Sequence, residues 1–485
     1  MVDLKVKCTV VVVSLITILC SIEVSGSQYT PEGLYDPEYF TLANGLDVVL
    51  KQRTVTHNAA IRLSVKVGQY DFECGRQEVP HFLEHLLFTG TSQHSETELD
   101  ALIEENGGSW NAGTGSERTD YEIDIYSQNV LLALDVLHEI ITDSQITEEN
   151  VERSRDIIHR EAEGKPSRLR QVLYRRGIGR SAVDNALLTM FPDSNIQCPA
   201  LETADKINRN DILEVLEKYY VPTNMLLAIV GEYDRDALME RINATFGTLK
   251  GKSLERNPLK IPGYFRSGPA EVSGTLSPLL DSDANAGLAF RTEGYLSRDF
   301  HVLNVIEWYL YNRLYNSLRV EKGLSYSPST DYIPDTGFGA FVLTADVEVD
   351  DIDRALEQFQ YEIDILKSGR TERDEIEKTK KKILLSLVQG YESNSDIADY
   401  YVTKHHEFIH FGKLINHEDR IEHITADDIQ TVSARYFTDE RSIILKSTPT
   451  LTYTQFYILI IAVLILLLLV IIHYARKIRR QRAAV

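Results

Sequence analysis

His81-Phe82-Leu83-Glu84-His85 sets two imidazoles four residues apart with a carboxylate between them. On a helix, positions i and i+4 share one face, so the two rings can grip one metal ion while the glutamate serves as a general base. The order His-x-x-Glu-His reverses the commoner His-Glu-x-x-His zinc signature. A catalytic zinc takes three protein ligands and keeps one position open for water, so a third imidazole or carboxylate must come from a neighbouring element. Glu161 is the preferred candidate, on a helix able to pack antiparallel to the first; Glu152 and Glu163 are nearly equal by sequence alone. Of the four cysteines, Cys8 and Cys20 fall in the N-terminal apolar run, and the two left, Cys74 and Cys198, are too few for a thiolate zinc cluster.

The elements that must hold these groups follow from local pattern. Phe40 to Gln52 reads as a hairpin turning at Asn44-Gly45, followed by a strand from Ala60 to Val67. Pro80 suits a first helical turn and places the His81 to His85 run at a helix start. A second helix spans Thr97 to Asn106 and ends at Gly107-Gly108. An extended stretch then runs from Ser109 to Ser127, with alternation in Tyr121-Glu122-Ile123-Asp124-Ile125, before helices at about 129–142 and 147–164.

Two echoes point to a duplication. Ile207-Asn208-Arg209-Asn210-Asp211-Ile212 is matched by Ile424-Thr425-Ala426-Asp427-Asp428-Ile429, and Val151-Glu152-Arg153-Ser154-Arg155 by Ile376-Glu377-Lys378-Thr379-Lys380. Their common order implies two α+β domains, with a linker in the Pro/Gly-containing stretch at 250–268.

The ends carry different signals. Residues 1–26 combine Lys5 and Lys7, an apolar run from Cys8 to Cys20 and small residues at Ser25-Gly26, the pattern of a secretory signal peptide. From Phe456 to Ile472 the chain is uncharged and almost wholly aliphatic, flanked by Tyr453, Tyr457 and Tyr474. With its flanks it reaches the roughly 20 residues that span a bilayer. Arg476, Lys477, Arg479, Arg480 and Arg482 follow, and basic residues beside a span stay on the cytoplasmic side, so the body is expected outside the cytoplasm. Between these ends only Cys74 and Cys198 remain. They could form a disulfide in an oxidising compartment, but spacing alone does not establish a bond, and two separate thiols is the simpler expectation. A formal charge of -21 argues against nucleic acid as a partner.

Pro80-His81-Phe82-Leu83-Glu84-His85-Leu86-Leu87-Phe88-Thr89-Gly90-Thr91 resembles the signature helix of the pitrilysin/insulinase family, the inverzincin zinc metallopeptidases, and in particular shorter members such as the mitochondrial processing peptidase β subunit and bacterial homologues. In that family the third ligand is a glutamate 76 residues beyond the second histidine, the distance from His85 to Glu161. The resemblance therefore implies Zn2+ held by His81, His85 and Glu161, with Glu84 as catalytic base. Trp110-Asn111-Ala112-Gly113-Thr114 resembles the edge strand on which these enzymes lay an extended substrate, which makes Asn111 and Ala112 substrate-binding candidates. Leu318-Arg319-Val320-Glu321-Lys322-Gly323-Leu324-Ser325-Tyr326 resembles the family's arginine-tyrosine pair. It assigns Arg319 and Tyr326 catalytic roles: a hold on a carbonyl or carboxylate, and donation to a developing oxyanion.

The fold so implied is α+β, two homologous pitrilysin-like α/β-sandwich domains plus a C-terminal transmembrane helix. Its parts would be a signal peptide at 1–26, a catalytic domain at 30–249, the linker at 250–268, an inactive domain at 269–450, the span at 453–474 and a basic cytoplasmic tail at 475–485. Members of this size resemble half of a clamshell. Because this chain carries both the zinc motif and the arginine-tyrosine pair, a homodimer is expected in which Arg319 and Tyr326 of one copy face the motif of the other. The expected activity is zinc-dependent endopeptidase cleavage of unfolded peptides in a closed chamber. The rivals are a non-catalytic scaffold relative and a processing subunit that works only with a different partner chain. One departure bears on them: family members commonly carry a supporting glutamate seven residues before the third ligand, and Ser154 stands there.

Overall fold

Alternating burial in Thr119–Tyr126 and full burial of Met225–Gly231 reflect the two kinds of strand in this molecule, one with a polar face and one covered on both sides. The computed structural model describes residues 33–482 apart from 163, 193, 203, 253, 255–269 and 276–279; the expected signal peptide and most of the expected linker lie outside the described residues. The first half contains β1 (Glu38–Thr41), β2 (Asp47–Gln52), β3 (Asn58–Val65), α1 (Val79–Leu87), α2 (Glu96–Glu104), β4 (Ser109–Thr114), β5 (Thr119–Tyr126), α3 (Val130–Asp143), α4 (Glu148–Glu161), α5 (Arg168–Arg175), α6 (Ala182–Met190), α7 (Arg209–Tyr219), β6 (Met225–Gly231) and α8 (Arg235–Ala244). Its six strands lie in the order β1-β2-β6-β3-β5-β4, which leaves β4 at one edge.

The second half continues with β7 (Ala270–Thr275), β8 (Leu280–Asp281), β9 (Asp283–Thr292), α9 (Phe300–Leu314), β10 (Ser329–Pro334), β11 (Gly339–Glu348), α10 (Ile352–Lys367), α11 (Arg373–Gln389), α12 (Asn394–Thr403), α13 (His405–Phe411), α14 (His417–Glu422), α15 (Ala426–Tyr436), β12 (Ser442–Thr448) and β13 (Leu451–Thr452). Its main sheet runs β10-β11-β9-β12-β7. The parallel pair β12/β7 repeats the parallel pair β6/β2, and the antiparallel run β9-β11-β10 repeats β3-β5-β4.

The hairpin expected at Asn44-Gly45 forms between β1 and β2, with Gly45 at φ 93°, a conformation that favours glycine. Each sheet packs one face on its own helices. In the first half Phe82, Leu83 and Leu86 of α1, Leu134 and Leu137 of α3 and Ile212 of α7 meet Ile61, Leu63 and Leu227 of the sheet. The other faces are exchanged. Ile397, Ala398, Tyr401 and Val402 of α12 cover Val49, Ala60, Ala228 and Val230 of the first sheet, while Ala182, Ala186 and Met190 of α6 cover Ala340, Val342, Ile443 and Leu445 of the second. Each half therefore supplies an outer helix to the other, and burial of both sets of aliphatic side chains favours their association.

After β13 the chain enters α16 (Tyr453–Arg482) without an intervening loop. Tyr453–Arg479 is long and apolar enough to cross a membrane by length and composition, and none of its apolar window is buried against the body. Cys74 and Cys198 form a disulfide, which corrects the expectation of two separate thiols. The folded chain brings together two cysteines 124 residues apart, a proximity that spacing did not reveal.

Candidate metal centre and active site

The periodicity of α1 turns Val79, Phe82, Leu83, Leu86 and Leu87 into the core and leaves His81 and His85 side by side, each ring about one-fifth exposed. Pro80 sits in the first turn, where its missing N–H costs no helical hydrogen bond. Phe88, at the end of α1, packs its ring on Trp110 of β4 at 4.4 Å and so holds the helix against the edge strand. The antiparallel helix expected at 147–164 is α4, closed at its start by Thr147 accepting from the Asn150 N–H and ending at Glu161. Val151, Ser154 and Ile158 are buried, and Arg155 reaches across to lie 5.3 Å from the Phe82 ring centre. The register between α1 and α4 is thereby fixed.

That register carries Glu161 to the two histidines. Glu161 Oε2 lies 3.3 Å from His81 Nε2 and 3.5 Å from His85 Nε2, and the two Nε2 atoms are 3.1 Å apart. Ligands about 2.0–2.1 Å from a tetrahedral zinc are separated from one another by roughly 3.3–3.4 Å. Donor identity, number and mutual separation therefore fit a zinc ion. Of the rival third ligands, Glu152 is turned to the Arg155 guanidinium at 3.3 Å and Glu163 lies outside the described residues.

Glu84 stands apart from the converging trio. Its carboxylate is largely buried and accepts a 2.6 Å hydrogen bond from the Thr114 hydroxyl at the end of β4. The base candidate is thus tethered to the edge strand that carries Asn111, exposed, and Ala112, half-buried. The β4 main chain pairs with β5 along one side, from Ser109 opposite Asp124 to Thr114 opposite Thr119. Burial lowers the proton affinity of His81, but the hydrogen bond it donates to Glu78 and the charges of Glu78, Glu84 and Glu161 outweigh it and hold its pKa above the usual histidine range.

Glu78 is a residue that the sequence reading missed. Its Oε2 lies 2.8 Å from His81 Nδ1, the nitrogen opposite the one facing Glu161. An acidic residue three positions before the first histidine, close to a helix start, was the available signal. Ser154 is buried, and its hydroxyl has no hydrogen-bond partner among the described residues.

Arg319 and Tyr326 do come together, on the far half. The guanidinium lies 4.1 Å from the centre of the Tyr326 ring and donates to the Tyr326 carbonyl at 2.9 Å, from a π-helical turn at Tyr315–Glu321. Tyr326 is 70 % exposed, so its hydroxyl is open to solvent. Their partners are Tyr315, Asp346 and one another, all in the second half, rather than the His81 group of the same chain.

Residues 47–188 match the family model described as insulinase (peptidase family M16), and residues 206–383 match that of the peptidase M16 inactive domain. The chain belongs to the insulinase family. It is 24 % identical over 416 residues to a protein named as an uncharacterized zinc protease of Rickettsia bellii, spanning 83 % of this chain and 96 % of that one. It is also 24 % identical over 424 residues to a probable mitochondrial-processing peptidase subunit beta of Arabidopsis thaliana, spanning 82 % and 76 %. In fold it is similar to a protease from Helicobacter pylori, with a TM-score of 0.72 at 21 % identity over 86 % of this chain and 100 % of that one. The periplasmic protease PqqL of Escherichia coli is similar too, with a TM-score of 0.65 at 15 % identity over 85 % of this chain and 47 % of that one. The duplicated α+β domains expected from the internal echoes correspond to two M16-type domains.

Proposed function

We propose that this chain is a zinc-dependent endopeptidase that hydrolyses unfolded peptides inside a chamber closed by two copies, anchored by α16 with its body outside the cytoplasm. The observation that carries the reading is the convergence of His81, His85 and Glu161 beside a separately held Glu84. When bound, zinc supplies Lewis-acid activation of water near neutral pH. His81, His85 and Glu161 hold the ion. Glu84 accepts the water's proton on its carboxylate and returns it to the leaving amine. β4 takes the substrate as an added strand, its main chain pairing with Asn111 and Ala112 and asking little of the peptide's side chains. Arg319 and Tyr326 of the facing copy hold the substrate carbonyl and donate to the developing oxyanion. The proposed division is a catalytic domain at 30–249 and an inactive one at 269–450, followed by the span at 453–474 and the basic tail at 475–485.

The purified full chain in detergent should cleave a quenched peptide, and a chelator should abolish the cleavage. Glu84→Gln should lower kcat by about 10²–10⁴, the usual contribution of a general base, while leaving bound zinc at the wild-type level. A wild-type chain that retains no zinc and cuts nothing would refute the enzyme reading and leave the scaffold relative. Activity that appears only on adding a different subunit would assign the processing role instead.

A further inference from the structure

Glu78 occupies the N-cap of α1, the position where a side chain ordinarily accepts a backbone N–H and closes the helix. Its carboxylate makes no such hydrogen bond. It reaches forward one turn to His81 Nδ1 at 2.8 Å, with the two side chains 20 % and 24 % exposed. The loop that delivers it is braced from outside the helix. Cys74 is joined to Cys198, the Gly75 N–H donates to both oxygens of Glu202 at 2.8 and 2.9 Å, and the Gln77 amide donates to the Asn195 carbonyl at 2.6 Å. α4 offers no carboxylate at Ser154, which is buried with its hydroxyl unpaired among the described residues.

We propose that Glu78 is the positioning residue of the metal site. By accepting the Nδ1 hydrogen it fixes the tautomer of His81 and its ring angle, so that the Nε2 lone pair points to the space shared with His85 and Glu161. Ligating histidines are generally held in this way, and loss of such a partner typically weakens metal binding 10–100-fold. The bracing of residues 74–78 keeps the carboxylate in place without help from α4. This inference rests on the zinc reading of the His81 group.

The test measures the zinc dissociation constant of the full chain in detergent by competition with a chromogenic chelator, for wild type, Glu78→Ala and Glu78→Gln. The visible absorption of the cobalt-substituted proteins is recorded alongside. Glu78→Ala should bind zinc about 10–100-fold more weakly and shift the cobalt bands. Glu78→Gln retains an oxygen acceptor for Nδ1–H and should stay within about threefold of wild type, with an unshifted cobalt spectrum. Because Glu78 makes no cap hydrogen bond, the Ala variant loses no capping energy of that kind, and the thermal midpoint of the zinc-free protein checks that it remains folded. A lowered midpoint with an unchanged zinc constant would make Glu78 merely structural and overturn the proposal. Equal weakening in the Ala and Gln variants would overturn it too, by tracing the effect to charge rather than orientation. If the wild type binds no zinc, the functional reading falls with it; if wild type and both variants bind alike, only the role of Glu78 falls.

Discussion

Removal of Arg62 should uncouple the two halves at the exchanged helix α12. Arg62 lies on β3, 1 % exposed, on the outer face of the first sheet. Its Nε donates to Asp399 of α12 at 2.5 Å and its Nη1 to Asp124 of β5 at 3.0 Å, while Nη2 donates to Ser395, whose hydroxyl in turn donates to Asp124 at 2.7 Å. Breaking a buried ion pair by removing one partner costs about 3–5 kcal/mol, since the other charge is stranded. Here the stranded groups retain water: the side chains of Asp124 and Asp399 are 34 % and 50 % exposed. The lower end, ~3 kcal/mol, is therefore expected for Arg62→Ala. At about 1.4 kcal/mol per tenfold, amides of α12 that exchange by local opening should exchange roughly 10²-fold faster, with those of α1 much less affected. Asp399→Asn keeps an oxygen acceptor at a half-exposed position and should cost less than ~1 kcal/mol. Hydrogen exchange followed by mass spectrometry reads both variants. Exchange in α12 within fivefold of wild type for Arg62→Ala, or equal damage from Asp399→Asn, would refute the account.

Three further outcomes follow from named contacts. Asp335, in the turn between β10 and β11, has its pKa pushed up to about 8 by burial and by a hydrogen bond shared with Glu117, which also accepts from the Thr336 hydroxyl at 2.8 Å. A carboxyl whose folded pKa is raised stabilises the fold below its unfolded pKa and loses that contribution as pH rises through about 8, so stability should decline from pH 5 to 9 and Asp335→Asn should flatten the decline in denaturant titrations. Reduction of Cys74–Cys198 opens a 124-residue loop and should lower the unfolding free energy by up to ~5 kcal/mol, read as an earlier denaturation midpoint; an unchanged midpoint would contradict this. Tyr326→Phe keeps the ring against which Arg319 packs and removes only the hydroxyl, so on the proposed mechanism kcat should fall about 10²–10³-fold at similar stability, and a fall of less than threefold would remove Tyr326 from the oxyanion role.

Much of the site was legible because its parts are local. The face shared by His81 and His85 follows from helical period alone, and the hairpin at Gly45 follows from turn chemistry. Residues 129–142 and 147–164 were read as helices within a few positions of α3 and α4. The choice of Glu161 over Glu152 was not local. It needed either a family distance or the observation that Glu152 is turned to Arg155. The disulfide and the exchange of α6 and α12 were hidden for a related reason: amphipathic periodicity states that a helix has an apolar face, but not which sheet that face covers.

The internal echo shows how far a sequence pattern can carry physical content that it does not state. Asn208 and Thr425 are both N-caps closed by capping boxes, with Asp211 and Asp428 as the returning carboxylates, so the first echo is the start signal of α7 and of α15. In the second, Arg155 of α4 donates to the Ile207 carbonyl at 2.7 Å, and Lys380 of α11 donates to the Ile424 carbonyl at 3.2 Å. One echo therefore binds the other in both halves: a long basic side chain from the α4-type helix reaches the carbonyl just before the cap of the α7-type helix. Val151 and Ile376, and Ile158 and Ile383, are likewise buried in pairs. The halves part company at the last turn, where Glu161 meets the two histidines and Ser386 stands at the equivalent place in α11. On the proposed function, a duplicated frame with a ligand in only one copy puts the zinc site of the described residues in the first half, at the point where the two repeats cease to match.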